Sequence, residues 1–249
     1  MQKRIILKDI STLPIEIITE EEVDKETKPL IDKLSKIQNK LYAQRKYAVL
    51  IILQGMDASG KDSAVKHVFS GVDPTGCNVK AFKVPTVQEA AHHFLWRISN
   101  ACPEKGMTQI FNRSHYEDIL VPFVSKSISD ELIKERCEEI NMFERGLVKD
   151  NTIVLKFYLH VSHKEQQIRV EERKTDEHKR WKYQKADVIA VRKHDEYVKA
   201  YNFVFENCNK DVPWQIVPAD KKWYKNFYIL RAIVNELEKY NIQYPNIKL

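Results

Sequence analysis

At 249 residues the chain is long enough to bury a sizeable core without disulfides or metals. Its 43% hydrophobic, 10% aromatic and 31% charged residues exclude a wholly disordered, collagenous or membrane-spanning chain. The net charge of +6 favours an anionic partner and leaves phosphate, nucleic acid and acidic membrane open.

The opening MQKRIILKDI has neither the apolar core nor the small-residue cleavage site of a signal peptide. The most apolar run, Tyr47–Leu53, is far shorter than the roughly 20 residues a bilayer requires, so a cytoplasmic protein without a membrane partner is expected. From about Glu20 to Arg45, Val23, Leu30, Leu34, Ile37 and Leu41 recur at helical spacings, which predicts an amphipathic helix. Residues 1–45 are expected to form an N-terminal helical extension, with one main domain over 46–249. The run Tyr47–Leu53, bounded by glycine, suits a central parallel strand covered on both faces. Alternation then predicts a helix near 61–70, a strand near 78–84 and a helix near 86–101. A strand near 107–112, a helix near 129–149, a strand near 152–161 and a helix near 163–175 follow. Last come a helix near 187–208, a strand near 214–217 and a helix near 221–239. Such alternation specifies an α/β fold, about five parallel strands sandwiched by helices, with active-site loops at their carboxyl ends. Cys77, Cys102, Cys137 and Cys208 are too scattered for a zinc ribbon or redox pair, and His92 and His93 point too far apart on a helix to chelate one ion.

The chemistry starts where the first strand ends, in Gly55-Met56-Asp57-Ala58-Ser59-Gly60-Lys61-Asp62-Ser63, which fits the GxxxxGK of a phosphate-binding loop. Gly55 and Gly60 permit a tight backbone turn, the following helix offers its positive end, and Lys61 adds a mobile charge for terminal phosphates. Asp62 stands where such loops usually carry a hydroxyl after the lysine, and Asp57 lies inside the loop. These two carboxylates are candidate ligands for Mg2+, with Mn2+ as the alternative ion. Asp62 also suits a helix start on dipole grounds alone. The strand near 107–112 runs into Asn112-Arg113-Ser114-His115-Tyr116-Glu117. There Arg113 can clamp a phosphate with its planar fork, and Glu117 can meet a ribose, a base or a metal-bound water. Arg169 and Arg173 lie four apart on a helix in a basic stretch, where they form either a lid over a transferring phosphoryl group or an ordinary ion-paired face. Lys66, Lys80 and Lys83 would extend positive charge away from Lys61, toward a donor longer than a triphosphate.

Several separated segments, LQGMDASGKDS, VDPTGCNVKAFKVPT, FLWR, FNRSHYED, EERKTDEHKRWK and PWQIVPADKKWY, together resemble the family-2 polyphosphate kinases from about residue 30 to near the C-terminus. That resemblance implies a P-loop kinase fold of the thymidylate-kinase kind over 46–249 with a helical lid near 162–186. It also implies Mg2+-dependent phosphoryl transfer between inorganic polyphosphate and adenine nucleotides, with guanine nucleotides as the alternative, and a homodimer or homotetramer. On it, Asp57 and Lys61 are the key groups of the first motif, Asn112 to Glu117 form the second, and Arg169, Arg173 and Lys182 belong to the lid. Asn112, where much of the family has Asp, resembles the subgroup acting on both nucleoside mono- and diphosphates. The expected catalytic set is Asp57, Lys61, Arg113, Arg169 and Arg173. Phosphate contacts are expected from Gly55, Gly60, Lys61, Asp62, Ser63, Lys66, Lys83 and Lys182, and nucleotide contacts from Asn112, Arg113 and Glu117. An ATP-dependent nucleoside or nucleoside-monophosphate kinase shares the loop, lid and fold. A nucleic-acid module has no base-reading motif here, so no nucleic-acid partner is expected.

Overall fold

Thr19 starts the first long helix: its hydroxyl accepts from the Glu22 N–H and the Glu22 carboxylate accepts from the Thr19 N–H, a reciprocal cap. The computed structural model describes residues 4–246, with only the backbone at Lys185 and Ala186. In it α1 (Glu20–Gln44) leads into β1 (Ala48–Gly55), whose eight residues are all buried as the unbroken apolar run predicts. Then come α2 (Lys61–Val68), β2 (Cys77–Ala81), α3 (Val87–Ala90), α4 (Trp96–Ser99), β3 (Thr108–Asn112), α5 (Glu117–Ser125) and α6 (Asp130–Lys149). The chain continues through β4 (Thr152–His160), α7 (His163–Thr175), a 3-10 turn at Arg180–Lys182, α8 (Lys185–Arg192), α9 (His194–Asn207), β5 (Trp214–Pro218) and α10 (Lys222–Leu237).

The five strands form one sheet in the order β2-β3-β1-β4-β5, every pairing parallel. Register aligns Leu53 of β1 with Asn112 of β3, and Asn112 with Ala81 of β2. The carboxyl ends of the three strands therefore open onto one crevice, beside the loop that leaves Gly55. Helix α1 lies on α10, and its Leu34 and Leu41 join the same apolar core as β1, so the N-terminal helix is packed into the body of the fold. Ahead of it, Leu7 is buried, His160 Nε2 donates to the carbonyls of Leu7 (3.1 Å) and Ile10 (3.2 Å), and the Asp220 N–H donates to Thr12 O (3.1 Å). The segment thus straps the carboxyl ends of β4 and β5. Among the described residues no helix is long and apolar enough to cross a membrane.

Three local expectations change. The helix expected over 86–101 is two short helices, because the His93 ring accepts the Leu95 N–H (3.4 Å) and competes with the helical ladder between them. The helix expected over 187–208 breaks at Lys193 into α8 and α9. The strand expected over 78–84 ends at Ala81, and α5, with Pro122 inside it, follows directly from the polar cluster after β3.

Candidate active site

The loop after β1 bends through two left-handed residues, Ala58 (φ 63°) and Gly60 (φ 95°). The left-handed conformation favours glycine at Gly60, and a Cβ there, 2.6 Å from the Lys225 ammonium, would displace that side chain from the loop. Lys61 folds back over the loop, its Nζ donating to Gly55 O (2.7 Å) and Met56 O (3.1 Å). Burial, aided by the neighbouring Arg113 charge, lowers the Lys61 ammonium to about 8, against the pull of Asp57. From α10, Lys225 donates to Gly60 O (2.8 Å), and burial with the Arg169 charge lowers it to about 7. Two lysines, one from each side, therefore brace the loop.

Around them is a cavity of roughly 980 Å³, lined by nine Lys and Arg side chains against four Asp and Glu. Gly60, Lys61, Asp62, Ser63, Lys83, Asn112, Arg113, Arg169, Arg173 and Lys182 all reach it. Gly55 sits at the root of the loop, where a Cβ would lie 2.9 Å from Leu159 O. Lys66 and Lys80 are exposed and lie outside the cavity lining, so of the three lysines read as an extension only Lys83 faces the crevice.

Arg113, at φ 63°, meets Asp57 Oδ1 at 2.5 Å. Asn112 Nδ2 donates to Asp62 Oδ1 (2.7 Å), and Lys182 Nζ stands 3.8 Å from Asp62 Oδ2. Behind the Asp57–Arg113 pair is a smaller recess of about 50 Å³ whose lining includes Glu117, Gln166, Tyr197 and Tyr201. Burial raises the Glu117 carboxyl, opposed by Arg113 and Lys61. Asp57 and Asp62 are hard oxygen donors that line the cation-rich crevice, a set that suits Mg2+ shared with substrate phosphates. Among the described residues no group of three or more His, Cys, Asp or Glu could hold a metal unaided.

The two lid arginines differ. Arg173 is partly exposed and reaches Asp187 Oδ2 (2.9 Å). Arg169 is buried with every donor engaged: Nε to Glu165 (2.8 Å), Nη1 to Ala58 O and Ser59 O (3.2 Å each), and Nη2 to Ala219 O (2.7 Å) and Asp220 O (2.9 Å). It clamps the loop to the end of β5 instead of swinging free. Gln166, one turn earlier, donates to Asp57 O (3.1 Å). Sequence reasoning missed Lys225, Lys222, Gln166 and the exposed Trp181 that lines the lid wall. Trp181 lies within EERKTDEHKRWK and Lys222 within PWQIVPADKKWY, which ends just before Lys225, but neither segment shows what its residues face.

The family profile described as Polyphosphate kinase 2 (PPK2) matches residues 17–245. An AMP/ADP-polyphosphate phosphotransferase of Meiothermus ruber is 42% identical over 214 residues, 86% of this chain and 80% of that one. An ADP-polyphosphate phosphotransferase of Rhodopseudomonas palustris is 36% identical, over 86% of this chain and 79% of its own. The crystal structure of polyphosphate kinase 2 from Arthrobacter aurescens superposes with a TM-score of 0.92 at 34% identity, covering 96% of this chain and 86% of that one.

Proposed function

The chain belongs to the polyphosphate kinase 2 family, and we propose that this polyphosphate-dependent nucleotide phosphotransferase accepts both AMP and ADP. The observation that carries the reading is the roughly 980 Å³ cavity whose nine cations outnumber its four carboxylates around a phosphate loop. A nucleoside monophosphate carries too little charge to need such a lining, whereas a polyphosphate end does. Lys61, Lys225 and the loop hold the terminal phosphate of the donor, while Lys83 and Lys182 neutralise phosphates further along. Arg113, shared by the cavity and the recess, meets the phosphate of the nucleotide, with Asn112 and Glu117 orienting the acceptor.

An oxygen of the nucleotide's terminal phosphate attacks the end phosphorus of the chain in line. A new P–O–P bond forms, the bond to the penultimate phosphate breaks, and that phosphate leaves with the electron pair on a chain one unit shorter. The attacking phosphate has its last pKa near 6 and is largely ionised at neutral pH, so no general base is demanded. Lys61, Arg113 and Arg173 stabilise the charge that spreads in the transition state, and Arg169 keeps the loop that presents them rigid. Mg2+, or Mn2+, held by Asp57 and Asp62, supplies neutralisation of phosphate charge when bound. The chain is further read as a cytoplasmic homodimer or homotetramer, which sedimentation tests.

Asn112 supports breadth of acceptor: it is the residue that resembles the subgroup acting on both nucleoside mono- and diphosphates, and its amide donates to Asp62 at the mouth of the loop. The name of the Meiothermus ruber relative, with both acceptors in it, points the same way. The test is the initial rate with Mg2+, polyphosphate and either AMP or ADP alone, resolved by chromatography. Product from both acceptors is expected. Product from ADP alone would remove AMP from the proposal.

A further inference from the structure

The segment Asn112–Glu117 is held from behind by a buried charge cluster that the chemistry above does not use. Glu144 of α6 is 1% exposed, and Lys156 of β4 and His115 are fully buried. Glu144 Oε1 accepts from His115 Nε2 (3.1 Å) and from the Tyr116 hydroxyl (2.8 Å). The three N–H groups of Lys156 reach Glu144 Oε2 (2.7 Å), the Tyr116 hydroxyl (2.7 Å) and Cys208 O (2.9 Å). Burial would raise the Glu144 carboxyl, but Lys156 and then His115 outweigh it and hold it below the usual range. His115 Nδ1 is buried without a partner among the described residues, so the neutral ring donating through Nε2 leaves no N–H stranded.

Stability alone is a weak reason for this cluster, since well-packed apolar residues often replace a buried ion pair at no cost. Its position suggests another. His115 and Tyr116 point into the core and are tied there, while Arg113 and Glu117, immediately outside them, point into the crevice and its recess. Arg113 is left-handed at φ 63°, a conformation a non-glycine residue keeps only when its surroundings impose it. Its own N–H is held by Leu53 O (3.0 Å), and Ser114 is packed under Gln54, with Ser114 Oγ 3.1 Å from the Gln54 amide. The crevice side adds the Arg113–Asp57 and Asn112–Asp62 contacts, and the turn closes with the Glu117 N–H on Ser114 O (3.1 Å) and the Asp118 N–H on His115 O (3.1 Å), while the His115 and Tyr116 side chains are tied on the core side by the cluster.

We propose that Glu144 and Lys156 are positioning residues for phosphoryl transfer, fixing through His115 and Tyr116 the backbone that aims Arg113 and Glu117. The proposal rests on the reading that Arg113 contacts the reacting phosphates. In wild-type protein Lys61 and Lys225 hold the donor independently, so loss of the cluster should lower kcat while leaving donor affinity nearly unchanged.

The test compares Glu144→Leu, Lys156→Met, the double variant, Tyr116→Phe and Arg113→Ala by thermal melting, steady-state kinetics and calorimetric titration with tripolyphosphate. Each single charge deletion should lower the Tm. The double variant should melt above either single charge deletion, though below wild type because His115, the Tyr116 hydroxyl and Cys208 O lose partners, and keep a kcat at least tenfold below wild type, with tripolyphosphate affinity within about twofold. Tyr116→Phe, which deletes one hydroxyl and should fold, should lose kcat several-fold with the same affinity. Recovery of kcat together with Tm in the double variant would overturn the proposal, as would wild-type kcat in Tyr116→Phe should the double variant not fold. Arg113→Ala separates the two layers. If it keeps wild-type kcat, the reading of the site fails; if it is crippled while the cluster variants are not, only the positioning role fails.

Discussion

Asp57 carries more of the site than its neighbours: it pairs with Arg113 through its carboxylate and accepts from Gln166 through its carbonyl. Replacing it with Ala removes a candidate metal ligand and the partner of Arg113 without touching the core. The fold should survive, with the Tm within about 2 °C, while turnover drops about 10²–10³-fold, the scale of losing one preorganised charge. Turnover within a few-fold of wild type would remove that role. The two lysines give a sharper prediction. In the free protein Lys225 lies at about 7 and Lys61 at about 8, so each loses its charge as pH rises through those values. A bound polyanion favours the charged form and raises both. Polyphosphate affinity should therefore fall between pH 6.5 and 9, and binding at pH 7.5 should take up protons, measurable by calorimetry in buffers of different ionisation enthalpy. Proton release, or an affinity flat with pH, would contradict the arrangement. Lys225→Met should remove the lower part of that fall. The sequence disclosed Lys61 because glycines frame it, but Lys225 reaches Gly60 across 165 residues. Helical periodicity puts it on α10 without saying what it faces.

At the scale of elements, α7 presents two arginines four residues apart that do different work. Arg169→Ala would strand carbonyls at Ala58, Ser59, Ala219 and Asp220. Leaving buried acceptors unsatisfied costs roughly 1–3 kcal/mol, and the Tm should fall by about 2–12 °C. Arg173→Ala removes a partly exposed pair with Asp187, so its Tm should move little while turnover drops tenfold or more. Equal melting losses in the two would contradict the division. The spacing put both side chains on one face of a helix, and there the sequence stopped, because burial depends on what docks against that face. The loop after β1 and the end of β5 close on Arg169, and neither is its neighbour in the chain. Elements with strong patterns, such as β1 and α6, stand where their apolar runs put them. The exceptions are α3, α4 and the α8–α9 break, where side chains or single residues interrupt a pattern that periodicity treats as continuous, together with β2, which stops at Ala81, and α5, which no expected element covered.

Across the whole molecule the net charge of +6 said only that an anion is favoured, whereas the fold gathers that excess into one crevice at the carboxyl ends of β1, β2 and β3. Donor binding should accordingly weaken steeply as salt rises from about 0.05 to 0.5 M, since the Debye length shrinks below the span of the lining. A salt-insensitive affinity would place the donor elsewhere. Parallel α/β order was legible because β1 and β4 are apolar over most of their length and helical patterns separate the strands, even though β2, Cys77–Ala81, is not continuously apolar and is largely exposed. The Glu144–Lys156 pairing was not, since a buried ion pair between α6 and β4 leaves no periodic trace. The most direct measurement is phosphorus-31 NMR of the protein with Mg2+, polyphosphate and AMP, with no ATP present. The end-group signal of the chain should decline as the signals of ADP, then ATP, grow in step. An unchanged polyphosphate spectrum, in a protein that phosphorylates AMP once ATP is added, would contradict polyphosphate as the donor.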